Sequence, residues 1–225
     1  MKKKLIIFGD GKISEAITYF FERDSEYLIA GYVCDDLYLK SDSFLGKPLT
    51  GLSKVPEMYP ASQYDVFVAV GYQGMNQLRT SKFDYFKQNG YSLASYVGPF
   101  IKGNFSFGEN TIIMDHAMIQ PCVSLGDNVF VWGGTMIGHH ATIENHCWLT
   151  GGCMIGGSAK IGKSTFIGLA AVVGHEVQVG EKCMLGACTL TTKSIGNGVV
   201  LITAPTESHR LNSDQFMRMS TCFRT

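Results

Sequence analysis

The run Ile137-Gly138-His139-His140-Ala141-Thr142-Ile143-Glu144-Asn145-His146-Cys147-Trp148-Leu149 holds two turns of the pattern that decides the fold. An apolar residue returns every sixth position without insertion, at Ile101, Phe107, Ile113, Ile119, Leu125, Val131, Ile137, Ile143, Leu149, Ile155, Ile161, Ile167, Val173, Val179 and Leu185. Four positions after each stands a second, mostly small residue, such as Ala117, Thr135, Ala141, Cys147 and Ala171. A period of six fits neither a helix at 3.6 nor a strand at 2, so the unit is one strand plus one tight turn, repeated. Three such units per triangular coil make a parallel β-helix. The stretch from Ile101 to Leu190 then supplies about five coils of 18 residues, stacked at roughly 4.8 Å, with both repeat positions facing inward.

Residues 18 apart lie above one another, so the outward columns sort by face. Ser106, Ser124, Thr142, Lys160 and Gln178 form a polar column; Ile112, Phe130, Trp148, Phe166 and Met184 form an aromatic one; Met118, Met136, Met154, Val172 and Leu190 form a third, rich in methionine. Two apolar outer faces are more than a monomer ordinarily exposes. A cyclic homotrimer of prisms is expected to bury both; the alternative is one covered face and chance.

The rest of the 225-residue chain is long enough for a second core. Nineteen basic and nineteen acidic residues cancel, and no basic cluster follows Lys2–Lys4, which argues against nucleic acid and anionic membrane as partners. The apolar run Leu5–Phe8 is too short for a signal peptide or a span, so a cytoplasmic protein is expected. Seven cysteines without a Cys-x-x-Cys pair fit that compartment; Cys147, Cys153 and Cys183 fall in the inward column as apolar fillers, and neither disulfides nor a metal are expected.

Residues 1–98 read as an α/β domain with a parallel sheet. Strands are expected at Lys4–Phe8, Tyr27–Val33 and Asp65–Val70, with helices over Ile13–Phe21 and Gln77–Asn89, the second stopped by Gly90. Gly9, Asp10, Gly11, Lys12, Asp35, Asp36, Gly71 and Tyr72 would then converge at the carboxyl ends of the strands, where glycines and a helix N-terminus receive phosphate and acidic groups receive a ribose or base. Ser14 replaces the third glycine of the dinucleotide fingerprint, which favours a single nucleotide diphosphate over NAD; tight turns without function explain the same residues. Residues 99–205 are the coil domain and 206–225 a tail. Within the tail, Glu207–Met219 is expected to form a short helix behind Asn212 or Ser213 that covers the last coil, and the final six residues are expected to be disordered.

Five of six histidines lie in the coil domain, all on turns: His116, His139, His140, His146 and His175. The column through His139 runs Gly103, Pro121, His139, Gly157, His175, at the corner between the methionine and polar faces. Bare backbone one coil above an imidazole offers a base beside an amide donor, the minimum for acyl transfer; a surface histidine above a turn glycine is the alternative.

With these residues the chain resembles the sialic acid O-acetyltransferase/UDP-4-amino-sugar N-acetyltransferase family. The hexads carry the broad likeness, and Gly9-Asp10-Gly11, Cys34-Asp35-Asp36 and Ile137-Gly138-His139 narrow it. The resemblance implies a Rossmann-like amino-terminal domain, a left-handed β-helix, a homotrimer and acetyl-CoA as co-substrate. It also implies transfer of an acyl group to the amine of a nucleotide diphosphate-linked amino sugar, in surface glycan biosynthesis. In its terms His139 is the general base, Gly157 the thioester-contacting glycine, and Gly157, His175, Ala187 and Pro205 line the acyl-CoA site. His140, His146 and Trp148 are possible accessories. The chain departs from the family in three places. His140 stands where a carboxylate is usual, Trp148 where a further histidine is usual, and Ile202-Thr203-Ala204-Pro205 where Gly-Val-Pro-Ala closes the coil. Other readings are an O-acetyltransferase, a non-catalytic nucleotide-binding trimer, and a zinc enzyme resembling γ-carbonic anhydrases that would use His139, His140 and His146.

Overall fold

The computed structural model describes residues 3–219. The amino-terminal unit is built on β1 (Lys3–Phe8), whose Leu5, Ile6, Ile7 and Phe8 are all buried because both faces of a parallel sheet are covered. After β1 come α1 (Lys12–Asp24), β2 (Tyr27–Cys34), the short antiparallel pair β3 (Ser43–Phe44) and β4 (Lys47–Gly51), α2 (Val55–Met58), β5 (Tyr64–Val68) and α3 (Gln77–Gln88). The sheet order is β3-β4-β2-β1-β5, parallel apart from the β3–β4 pair. The strands and helices expected from the pattern are present, each within a few residues of its expected ends; β3, β4 and α2 carry no strong periodicity and were not anticipated.

The coil begins earlier and ends later than the hexads indicate. Strand β6 (Tyr96–Val97), on the amino-terminal side of the expected boundary at residue 98, pairs with Ile112–Ile113 as the first rung of one face. From Ile112 to Thr191 fourteen two-residue strands, β7 to β20, pair at a constant 18-residue offset, for example Phe130 with Trp148 and Met136 with Met154. The pattern does not stop at Leu190. Ile195 bridges to Val179, and β21 (Val200–Leu201) pairs with Met184–Leu185, a turn shortened by two residues that six-residue counting misses. Ile137, Leu149, Ile155 and Ile161 are fully buried, as are the small inward residues Ala141, Cys147, Cys153 and Cys183. Phe107 has no full coil beneath it and is 44% exposed.

Among the described residues only one apolar outer face is open. Ile112, Phe130 and Trp148 are buried in one cluster with Leu5, Ile7, Ile17, Phe21 and Phe67 of the amino-terminal unit. The expectation that the aromatic face lies between subunits is therefore corrected: the chain covers it with its own sheet and α1. Met118, Met154 and Leu190 on the methionine face are 59%, 44% and 67% exposed.

A second contact joins the halves. Arg79 on α3 is fully buried with its guanidinium over the rings of Phe130 and Trp148. It donates to Asn76 Oδ1 (2.9 Å), to Asn128 Oδ1 (3.0 Å) and to the carbonyl oxygens of Asn128 (3.2 Å) and His146 (2.9 Å). No carboxylate is among these partners, and burial pulls the guanidinium below its usual range; carbonyl dipoles and ring faces hold the charge instead. Asn110, Asn128 and His146 follow one another at the left-handed corner beneath α3, with φ of 52°, 58° and 64°.

Among the described residues no helix is long and apolar enough to cross a membrane. Helix α4 (Ser213–Met219) starts where expected. Asn212 Oδ1 accepts from the Gln215 N–H (2.9 Å) and Gln215 Oε1 from the Asn212 N–H (3.2 Å), a reciprocal cap. It buries no residue, so it does not cover the last coil as expected; Phe216 stays half-exposed, edge-on to the His209 ring (5.2 Å). The expectation for the final six residues lies outside the described residues.

The bonds around Asn128 fix the protonation of His146. Asn128 Oδ1 accepts from Arg79 and from Asn110 Nδ2 (2.9 Å), so Asn128 Nδ2 donates to His146 Nδ1 (3.0 Å), which must be a bare acceptor. Burial first, then Lys163 and Arg79, push His146 down to about 4 from 6.5. Above pH 6.5 it is neutral in folded and unfolded chains; as pH falls towards 4 the unfolded chain binds the proton first, which costs the fold about 2–3 kcal/mol by pH 4.5. Urea unfolding at pH 7.5 and 4.5 is expected to show this loss in the wild type and its absence in His146→Asn; an equal acid loss in both would contradict it.

Candidate functional site

Two regions carry the residues singled out from the sequence. The first is a cavity of about 430 Å³ at the carboxyl ends of β1, β2 and β5. Gly9, Asp10, Gly11, Lys12, Asp35 and Gly71 line it, as expected from the sequence. Gly9 has a φ of 129°, and a Cβ there would stand 2.4 Å from Ser14 Oγ and 2.8 Å from the Ala69 carbonyl oxygen. Ser14 itself is buried and reaches Ala69 O at 3.4 Å, which accounts for a serine at the third position of the motif. Gly11 is the N-cap of α1, so the first free N–H groups of that helix open on the cavity.

Two expected residues are elsewhere. Asp36 accepts from the Ser53 hydroxyl (2.7 Å) and N–H (3.1 Å), and those bonds hold its carboxyl below the usual range. Tyr72 turns to the coil, its ring centroid 4.5 Å from Phe166 and 5.6 Å from Trp148. Asp35 is paired with Lys82, whose ammonium also lies over Phe8. Sequence reading missed Cys34, Tyr38, Gln73 and Leu78 in the lining. Burial and then Asp10, Asp35 and Asp36 push the Cys34 thiol up to about 11, so it stays neutral. Its place in the Cys34-Asp35-Asp36 motif at the end of β2 was the signal for it.

The second region is the corner column of His139, Gly157 and His175. A Cβ on Gly157 would stand 2.9 Å from both Cε1 and Nε2 of His139 and 3.2 Å from Nδ1 of His175, so the glycine backbone lies between two imidazoles. The His139 and His175 ring centroids are 6.1 Å apart. His139 Nδ1 faces His140 Nδ1 at 3.1 Å.

Among the described residues the amide of Gly157 belongs to the uncapped members of its set, with those of Asp115, Gly133, Gly151 and His175. At some equivalent positions the N–H is capped by a side chain 19 residues before, as Gln120 caps His139 (2.9 Å) and Glu144 caps Lys163 (3.1 Å). Elsewhere the cap stands 18 residues after, as Asp127 for Glu109 (2.8 Å) and Asn145 for Asp127 (3.0 Å). For Gly157 those positions are Gly138 and His175, neither of which supplies an acceptor, and among the described residues its N–H donates to nothing. What this corner adds is an imidazole, that of His139, directly beside such an unused amide donor.

The remaining candidates separate from it. His146, held by Asn128 and edge-on to Phe83, and Trp148, stacked on Phe130, are buried under the amino-terminal unit and cannot assist His139. Ala187 belongs to the other edge of the methionine face, and its carbonyl accepts from Thr203 (3.0 Å). Pro205 is exposed beyond the last rung. Among the described residues no three His, Cys, Asp or Glu side chains group closely enough to hold a metal.

A hexapeptide β-helix carrying an α/β unit on one face defines the class of fold. Residues 101–199 match the family model described as the GMPPB C-terminal domain. Among solved structures the chain is similar to the acetyltransferase domain of PglB from Neisseria gonorrhoeae, at 22% identity over 88% of this chain and 95% of that one, with a TM-score of 0.77. It is similar to PerB from Caulobacter crescentus, solved with CoA and GDP-perosamine, at 20% identity over 89% and 94%, with a TM-score of 0.79. WeeI from Acinetobacter baumannii follows at 14% identity over 89% and 97%, with a TM-score of 0.54. No curated protein matches the sequence. These likenesses concern the fold, and they span both halves of the chain.

Gly138 and Gly157 are expected to respond differently to alanine. A Cβ on Gly138 meets only backbone, Gly157 N at 2.5 Å and Gly156 C at 2.8 Å, so Gly138→Ala should lose at least about 2 kcal/mol in urea unfolding. Gly157→Ala meets imidazole rings that can swing aside, so it should stay within about 1 kcal/mol of wild type while moving the His139 resonances. Equal losses would contradict the packing described.

Proposed function

We propose that the chain is an acyl-CoA-dependent N-acyltransferase, using acetyl-CoA on the amine of a nucleotide diphosphate-linked amino sugar. The observation that carries this reading is the unused Gly157 N–H beside His139. The amine attacks the thioester carbonyl; its proton passes to His139 Nε2, and the carbonyl oxygen, gaining charge, takes the Gly157 N–H. Collapse expels the thiolate, which takes the proton back from His139 and leaves as the thiol. The cavity at Gly9, Gly11 and Asp35 holds the nucleotide, with diphosphate oxygens at the start of α1 and Lys12. Support comes from the neighbours solved with acetyl coenzyme A, or with CoA and GDP-perosamine. In this reading the amino-terminal unit is a Rossmann-like domain, the coil is left-handed and the protein works in the cytoplasm. Because Trp148 is accounted for by packing, it does not weigh towards a non-catalytic platform.

His175 and Ala187 border the methionine face on opposite edges, so one acyl-CoA touching both lies between neighbouring copies of a homotrimer. Changing Met136 and Met154 together to Glu puts carboxylates on that face, half-buried and 44% exposed in the single chain, at a cost to the assembly of several kcal/mol. Light scattering is expected to give a folded monomer without turnover; an undisturbed trimer would refute the interface, and an active monomer the shared site. His139→Ala is expected to slow thiol release by about 10²–10⁴ at unchanged nucleotide affinity, and near-normal turnover would remove His139 from the mechanism.

A further inference from the structure

We infer that His140 is a positioning residue that sets the tautomer of His139; the inference rests on the reading of His139 as the base. The two Nδ1 atoms face each other at 3.1 Å, so one proton lies between them and one atom donates. If His140 supplied it, a neutral His139 would carry its own proton on Nε2 and could not accept another. If His139 supplies it, Nε2 is bare. That atom lies 2.9 Å from where a Gly157 Cβ would stand, and among the described residues it makes no hydrogen bond. The second arrangement keeps the Nδ1 proton on His139 throughout the reaction, while Nε2 alone takes the amine proton and returns it to the thiolate.

The backbone makes His140 suited to this task. It sits in the left-handed region at φ 60°, its N–H bonded to the Pro121 carbonyl (3.1 Å), and the two rings meet at 83°. Other titratable groups around the pair are His175, with its ring 6.1 Å from that of His139, and Glu176, 3.4 Å from His175 Nε2; exposed Cys122 precedes His140 by one coil in its column. A neutral imidazole as partner orients the base without the charge a carboxylate would add.

The test is long-range proton–nitrogen correlation on the full chain labelled with ¹⁵N-histidine, with thiol release from acetyl-CoA measured using GDP- and UDP-linked amino sugars as acceptor probes. In the wild type at pH 8, His139 is expected with hydrogen on Nδ1 and a bare Nε2. His140→Ala should move the hydrogen to Nε2 and lower kcat about tenfold at unchanged KM, less than loss of the base itself. His140→Asn, whose amide oxygen replaces Nδ1 and whose backbone tolerates the left-handed region, should keep tautomer and rate. His140→Glu should move the acid limb of kcat/KM upward by about one pH unit. A wild-type His139 protonated at Nε2, or a His140→Ala variant with tautomer and kcat unchanged, would overturn the inference. Turnover by His139→Ala would instead overturn the base assignment, which the tautomer measurement does not depend on.

Discussion

The rest of the molecule depends on how a buried guanidinium is satisfied. Arg79 leaves an α/β unit and ends among the carbonyl oxygens of a coil corner, with two aromatic rings over its planar faces. A cation without a carboxylate partner is held there because Nε, Nη1 and Nη2 each meet oxygens and the planar faces meet rings; leaving a buried charge uncompensated typically costs about 3–5 kcal/mol. The same contact fixes the cavity. Between its lining residues Gly71 and Leu78 the chain runs through Gly74, Met75 and Asn76, all left-handed at φ of 59°, 54° and 65°. Tyr72 on Phe166, and Asn76 donating to the Ser164 carbonyl (3.0 Å), hold this unfavourable run to the coil. One wall of the cavity is therefore tied to the aromatic face and to the Asn128–His146 corner of the coil.

This division of labour explains the three outer columns of the coil. One is polar and solvated. One is aromatic and occupied by the chain's own sheet and first helix, and Arg79 and Tyr72 reach it as well. Among the described residues the methionine column is the apolar one left uncovered, and the corner that borders it carries the imidazole and the unused amide.

Much of the fold was legible because a period of six in strict register admits one architecture. Constant 18-residue pairing followed directly, and so did the inward thiols. Which apolar face the chain would cover itself was not legible: Phe130 and Met136 are both outward and apolar, and only the three-dimensional placement of the first 95 residues distinguishes them. Arg79 was invisible because its acceptors are mostly backbone carbonyls, which leave no mark in a sequence. Asn110, Asn128 and His146 did leave one, being polar residues at 18-residue spacing where other columns vary. At the sites, Gly9, Gly11 and Asp35 were readable from their place after strands, whereas Asp36 and Tyr72 one position on were not, since adjacent residues in a turn point to different neighbours. His139 and Gly157 were readable as a column. That the Gly157 N–H has no partner among the described residues was not, because a free donor leaves no mark in the sequence.

The most direct measurement of the account is product analysis of the unmodified protein. With acetyl-CoA labelled with ¹³C at the carbonyl and GDP- or UDP-linked amino sugars as acceptors, mass spectrometry should find the label in an amide on the sugar, with one thiol released per amide formed. If the protein binds both a nucleotide sugar and acetyl-CoA yet places no label on any amine, the chain is not the acyltransferase that its corner geometry describes.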